Sequence, residues 1–416
     1  MEHGSLSSRR RWLVTLVAGG IAGCRTALRD APGQGSTPPG VVIAHSPARS
    51  GLYIGSPSIA VLPNGDYVVS HDFFGPNSDE HRQALSRVYR STDRGRHWTR
   101  IADVRGAFWS TLFTHRGNLH LLGTDRHHGQ VVIRRSADGG GTWTQPTGST
   151  TGVLRSDAEY HGAPVPVVEH QGRLWRAFEW RNPPKAWGVN YRAGVLSAPV
   201  DADLLDASSW TSTGFLSSDR SWNGGDMGAW LEGNVVVAPD GKLVNLLRVD
   251  TQRLPERAAW VSIESPDGAP RFDPRDGFIP LPGGAKKFTI RFDPRSHRYW
   301  TLASIVPEGW EGAGKPARIR NTLGLVSSPD LRSWSIRCHL LHHPDREHVG
   351  FQYVDWLFEG DDLIAACRTA FADGQGGAHS AHDANFLTFH RIRGFRDLGP
   401  GDSVPLTRFG PSASPN

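Results

Sequence analysis

The chain has 416 residues, 38% of them hydrophobic and 21% charged, with 48 Gly and 29 Pro. That balance excludes a disordered chain, a coiled coil and a collagen-like fibre, and it suits an all-β protein with many turns. Lys and Arg total 46 against 41 Asp and Glu, a net charge of +5 with no basic stripe, which argues against nucleic acid as a partner. Trp occurs 15 times; such residues pack between sheets or stack on flat sugar faces.

At the N-terminus, Ser8-Arg9-Arg10-Arg11-Trp12-Leu13 begins a charged segment, and an apolar run extends from Trp12 to Gly23. The run is too short to cross a bilayer as a helix, so residues 1–23 read as an export signal; the alternative is a fortuitous hydrophobic start. The arginines resemble a twin-arginine signal, and Ile21-Ala22-Gly23-Cys24 resembles a bacterial lipobox. These resemblances imply export to the periplasm or cell surface, with Cys24 carrying the lipid anchor as the only membrane attachment. Residues 24–45 read as a flexible tether, the Gly-, Pro-, Ser- and Thr-rich stretch 30–40 being its core. The main domain is expected over 46–400 and a C-terminal tail over 401–416.

A repeat organises the rest. Six times an apolar-alternating strand runs into a tight turn and a second strand: Pro63–Asp66, His115–Asn118, His170–Arg173, Pro239–Lys242, Asp293–Ser296 and Glu359–Asp362. Five of these turns contain Gly, where hairpins need positive φ. The spacing fits four-stranded blades, and no long stretch has helical apolar periodicity. The expectation is an all-β, six-bladed β-propeller of four-stranded antiparallel blades. Cys338 and Cys367 fall on separate expected strands. They are either two buried thiols or a pair, if those strands are neighbours. No zinc-binding spacing is present, so neither metal nor organic cofactor is implied.

Ser91-Thr92-Asp93-Arg94-Gly95-Arg96-His97-Trp98 and Ser136-Ala137-Asp138-Gly139-Gly140-Gly141-Thr142-Trp143 share the pattern Ser-x-Asp-x-Gly-x-x-Trp, and Ser328 to Trp334 is a degenerate copy without the Gly. The Asp carboxylate accepts backbone N–H bonds across a turn and the Trp packs on its blade. The pattern resembles the Asp-box, or BNR repeat, of the sialidase superfamily. In that repeat Asp93 and Asp138 are structural.

The resemblance extends to single residues in Trp230-Leu231-Glu232-Gly233-Asn234, Leu247-Arg248, Arg318-Ile319-Arg320-Asn321 and Gly350-Phe351-Gln352-Tyr353-Val354-Asp355-Trp356. It implies Tyr353 as nucleophile, Glu232 as its base, Arg248 and Arg320 as two of three substrate-carboxylate-binding arginines, and Asp79 as acid/base. The chemistry is coherent. A sugar with a carboxylate on its anomeric carbon repels an anionic nucleophile but not a neutral Tyr, which an adjacent Glu can deprotonate as it attacks. Arg binds carboxylates bidentately through its planar fork. The sequence departs from the family at Tyr53-Ile54-Gly55-Ser56-Pro57-Ser58, where the first arginine is replaced by Gly55 or Ile54.

Each residue also has a plainer reading: a surface ion pair for Glu232 and Arg248, inter-blade packing for Tyr353, and a solvated charge for Asp79, with Glu80 able to replace it. A rival constellation joins His71, Asp72, His161, His382, Asp383 and Asn385 with Arg176 and Arg368. A His/Tyr pair with an Arg on a uronate would suit β-elimination. The reading adopted is a monomeric retaining exo-glycosidase of sialidase type acting on glycans. The alternatives are a uronic-acid polysaccharide lyase or hydrolase and a non-catalytic glycan-binding propeller.

Overall fold

The computed structural model describes residues 37–409. Cys24, the expected export signal and residues 410–416 lie outside the described residues. Six antiparallel sheets follow one another along the chain as blades around a common axis. Blade 1 is Tyr53–Ile54 with Ser58–Val61, then Tyr67–Phe74, Leu85–Ser91 and Thr99–Arg105; blade 6 begins Gly350–Glu359, Asp362–Ala370, Phe386–Ile392. All six turns expected from the sequence join the first and second strands of a blade, for example His115 opposite Asn118 and Glu359 opposite Asp362.

The fourth strand of blade 6 comes from the other end of the chain: Val41–His45 pairs with Phe386–Ile392. This corrects the expected tether, whose last five residues, 41–45, form this strand. They close the ring and cover a backbone edge that would otherwise stay unpaired. The expected tail is also partly docked, since Val404 N–H donates to the His339 carbonyl at 2.9 Å and Trp310 Nε1 to the Thr407 carbonyl at 2.7 Å.

Apolar side chains fill the seams between blades. Trp230, Trp300, Trp310 and Trp356 are fully buried, so packing accounts for these tryptophans. Cys338 and Cys367 are both free thiols within the core that joins blades 5 and 6.

At the axis each blade presents its innermost strand edge, and side chains from the neighbouring blade satisfy it. The Ser58 hydroxyl accepts from Leu112 N–H at 2.9 Å, Thr111 Oγ1 donates to the Val165 carbonyl at 3.0 Å, and Glu179 Oε1 accepts from Gly233 N–H at 3.2 Å. Asn234 Oδ1 accepts from Ile290 N–H at 3.0 Å, Thr289 Oγ1 donates to the Val354 carbonyl at 3.0 Å, and Asp355 Oδ2 accepts from Ile59 N–H at 3.0 Å. These bonds link blade 1 to 2, and so on round to blade 6 and back to 1. Backbone groups buried along the axis thereby keep partners that water would otherwise supply.

The Ser-x-Asp turns are structural, as expected. Asp93 Oδ1 accepts from the backbone N–H of Arg96 and His97 at 3.1 and 2.9 Å, and Asp138 Oδ1 from those of Gly141 and Thr142, both at 3.0 Å. The indole N–H of Trp98, Trp143 and Trp334 each donates to the carbonyl three residues earlier. In the degenerate copy Leu331 takes the Gly position at φ 66°, fully buried. Gly95 sits at φ 89°, and a Cβ there would come within 2.3 Å of the Phe389 ring. Gly95→Ala should therefore cost about 2–4 kcal/mol in urea unfolding, strain and overpacking together. Gly65→Ala, at φ 87° in open space, should cost only about 1–2 kcal/mol.

Candidate active site

Three blades build the site by the same local device. In blades 2, 4 and 6 the first strand carries a bulge, with the register slipping between Phe108 and Thr111, Leu231 and Asn234, and Gln352 and Asp355. Inside the bulges Trp109, Glu232 and Tyr353 adopt φ of 48°, 56° and 53°. A bulge re-aims a side chain away from the pleat, and positive φ at a non-glycine costs of order 1–3 kcal/mol, so it persists only where surrounding contacts hold it.

Those contacts are visible. Glu232 Oε1 accepts the Tyr353 hydroxyl at 2.8 Å, and Oε2 accepts Arg248 Nη1 at 3.0 Å. Arg248 Nε donates in turn to the Ala285 carbonyl at 2.9 Å. Burial alone would raise the Glu232 carboxyl, but Arg248, His161 and the tyrosine O–H together hold it below its ordinary value. Burial and the neighbouring Glu232 raise the Tyr353 phenol, while the arginines around it pull the other way. The ground state is thus a neutral phenol donating to a carboxylate.

Tyr353 opens onto a cavity of about 530 Å³ that Arg248, Arg320 and Arg368 also line. The Arg320 guanidinium lies 5.9 Å and that of Arg368 4.8 Å from the centre of the Tyr353 ring. Arg320 Nη1 donates to Gln352 Oε1 at 2.6 Å, and Arg368 Nη2 donates to the His382 carbonyl. Both are nearly buried, at 5% and 3% exposure. Among the described residues neither Arg320 nor Arg368 forms an ion pair, whereas Arg248 is neutralised by Glu232. Two buried cations without a carboxylate form a ready anion site. Lys315, Arg318 and Arg346 also line the cavity, Lys315 paired with Asp250 at 2.8 Å and Arg346 with Glu347 at 3.0 Å.

Aromatic side chains also line the cavity, among them Phe108, Trp109, His127, His161 and Trp187. His161 packs edge-on to Trp109 at 4.4 Å and stacks on Tyr191 at 4.5 Å, with its Nδ1 held by Glu179 at 2.7 Å.

The structure thus brings Glu232, Arg248, Arg320 and Tyr353 together as the sequence suggested. It does not bring Asp79 to them. Asp79 is exposed, paired with Arg82 at 2.6 Å, and is not among the residues lining the cavity. The carboxyl residues that line the cavity are instead Asp72, Glu80, Asp250 and Glu347, of which Asp250 is paired with Lys315 and Glu347 with Arg346. Asp72 is 2% exposed and accepts from the backbone N–H of Ser56 at 2.6 Å and Trp109 at 2.7 Å. A Cβ at Gly55 would fall 1.7 Å from Asp72 Oδ1. Where the family's first arginine is replaced, the wall therefore admits a carboxyl group. Burial raises that carboxyl to about 6, against the pull of the two N–H donors.

Of the rival constellation, His71 is buried with Nδ1 on the Asp72 carbonyl at 2.8 Å and does not line the cavity. Arg176 is fully buried and spends its guanidinium on the carbonyls of Ala163 and Ala177. Asn385 bonds the Phe371 backbone. His161, Arg368 and His382 do reach the cavity. The sequence reading missed Trp109, Trp187 and His127; the Phe108-Trp109 pair opening blade 2, equivalent to Glu232 and Tyr353 in theirs, was the available signal.

Sequence comparison finds no matching family model and no curated relative. Solved structures share the fold. An α-L-arabinofuranosidase of Fusarium graminearum superposes with a TM-score of 0.57 at 11% identity, over 88% of this chain and 99% of that one. A Hadza microbial sialidase gives 0.56 at 11%, over 85% and 68%, and an α-L-arabinanase of Penicillium chrysogenum complexed with arabinobiose gives 0.53 at 14%, over 86% and 98%. All are propellers whose names describe glycoside hydrolases. At these identities the likeness carries the architecture alone.

Glu232→Ala should lower stability by about 3–5 kcal/mol, because it strands Arg248 as a buried unpaired charge. Tyr353→Phe loses one hydroxyl bond and should cost about 1 kcal/mol. Chemical denaturation of the two variants beside wild type measures both, and equal losses would contradict this account of the pair.

Proposed function

We propose that this protein is a retaining exo-glycosidase of sialidase type that removes terminal acidic sugars from glycans. The observation that carries the reading is the set of buried guanidiniums, Arg320 and Arg368 without an ion pair among the described residues and Arg248 on Glu232, around a tyrosine hydrogen-bonded to a buried carboxylate. The substrate carboxylate takes the place of the missing acidic partner, with Arg368 as the third guanidinium that the first strand of blade 1 does not supply. The glycosidase names of the fold neighbours agree with this class of activity.

In the first step the Tyr353 oxygen attacks the anomeric carbon while Glu232 takes the phenolic proton. The glycosidic C–O bond breaks as Asp72 gives its proton to the leaving oxygen. In the second step the Asp72 carboxylate takes a proton from water, whose oxygen attacks the same carbon. The tyrosyl–sugar bond breaks and Glu232 returns the proton to Tyr353. Two inversions give net retention. Export and lipidation at Cys24 complete the proposal; a hydrophobic mass increment that disappears in Cys24→Ala would support it, and its absence from the exported wild type would refute it.

The deciding assay is release of fluorophore from an aryl sialoside. Tyr353→Phe should reduce turnover by about a thousandfold or more at nearly unchanged melting temperature, and full activity in that variant overturns the assignment. Hydrolysis of neutral arabino-oligosaccharides without any of acidic sugars would overturn the substrate class, and an unsaturated product absorbing in the ultraviolet would mark a lyase instead. The acid is tested by pH. Asp72 carries its proton below about 6, so turnover should fall as the pH rises through 6. Asp72→Asn should lose that limb and should lose far more activity on natural linkages than on activated aryl glycosides.

A further inference from the structure

The loop after Tyr67–Phe74 in blade 1 meets the loop after Asn118–Thr124 in blade 2 at the rim of the cavity, where His127 N–H donates to the Glu80 carbonyl at 2.7 Å. The contact brings three side chains of metal-ligand type to one point. Glu80 Oε1 lies 3.2 Å from His81 Nε2 and 3.5 Å from His127 Nδ1. One donor atom from each residue falls within 4.8 Å of the other two. The His81 and His127 rings stack, with centres 4.6 Å apart and planes 26° from parallel.

An ion-pair contact of His81 with Glu80 explains part of this arrangement and leaves the rest unexplained. Among the described residues His127 Nδ1 is shielded from solvent and has no hydrogen-bond partner, a cost for any buried polar atom. A tetrahedral ion with metal–ligand distances of about 2.0–2.2 Å places its ligand atoms roughly 3.3–3.6 Å from one another. The two separations from Glu80 Oε1 match that spacing closely.

We infer that Glu80, His81 and His127 form a binding site for a divalent transition ion of the zinc type. Two imidazoles and one carboxylate favour Zn²⁺, Co²⁺ or Ni²⁺ over Ca²⁺ and Mg²⁺, which require mostly oxygen ligands. Three protein ligands leave a fourth position open. Glu80 and His127 both line the cavity, so that position is accessible to water or to an oxygen of a bound glycan. No metal-binding spacing is visible in the chain because the ligands come from two loops of different blades, with Glu80 and His81 adjacent to each other.

The test is calorimetric titration of the chelator-stripped protein with Zn²⁺, alongside Co²⁺ titration read by visible absorption. Wild type should bind one Zn²⁺ per chain at a site that Ca²⁺ and Mg²⁺ do not occupy, and Co²⁺ should give the intense absorption of tetrahedral coordination. His127→Ala, His81→Ala and Glu80→Gln should each weaken Zn²⁺ binding by about 10–100-fold or more. His81 is 68% exposed, so its variant retains the fold, and metal-free melting curves matching wild type will verify this. Absence of saturable Zn²⁺ binding overturns the site. Undiminished binding in both histidine variants overturns it equally, since other histidines would then hold the ion. Ca²⁺ binding there as tightly as Zn²⁺ overturns the assigned metal class.

Discussion

Every blade of this protein ends at the axis in a strand edge that faces neither water nor another strand of its own sheet. The chain resolves that constraint by sending a polar side chain from one blade to the backbone of the next, from Ser58 and Thr111 through Glu179 and Asn234 to Thr289 and Asp355. The axis is therefore a dense polar seam in surroundings of low permittivity, where charges interact strongly. The site occupies one end of that seam. Its bulged strands can hold Trp109, Glu232 and Tyr353 at positive φ because the ring beneath fixes the strands that carry them.

Within that setting Glu232 has two tasks. Its carboxylate neutralises Arg248, which would otherwise be a lone buried cation, and it accepts the Tyr353 hydroxyl. The same two contacts that make the carboxylate tolerable also orient the phenol and give its proton a destination. Among the described residues Arg320 and Arg368 are buried without an ion pair, and the proposed function has a substrate carboxylate supply it. Structure and proposed mechanism converge on one electrostatic balance, in which the protein buries more positive than negative charge beside the tyrosine.

The Gly55 wall shows how a single small residue alters such a site. Without a Cβ at 55, the Asp72 carboxyl enters the space and is gripped by the N–H groups of Ser56 and Trp109. A position where the resemblance would place a cation holds an acid, and Arg368 of blade 6 lines the cavity beside Tyr353. In the proposed mechanism the dependence on pH is tied to whether Asp72 carries its proton.

The sequence alone determined the number of blades, because strand alternation and turn residues are local and recur at each of the six hairpins. It also determined the Ser-x-Asp turns, whose hydrogen bonds span only a few residues. Glu232, Arg248, Arg320 and Tyr353 could be singled out because each lies in a short stretch resembling its counterpart in a known family. Only the tertiary structure decided which of two early carboxyls enters the cavity: Asp79 and Asp72 both precede the first Ser-x-Asp turn, and the choice rests on the space left by Gly55 and on the N–H groups of Ser56 and of Trp109 in the next blade. It also decided that Val41–His45 is a strand, since its partner lies at the far end of the chain, and that Glu80, His81 and His127 converge. Local patterns are written in neighbouring residues, whereas burial, pairing across blades and the field at the axis exist only once the ring has closed.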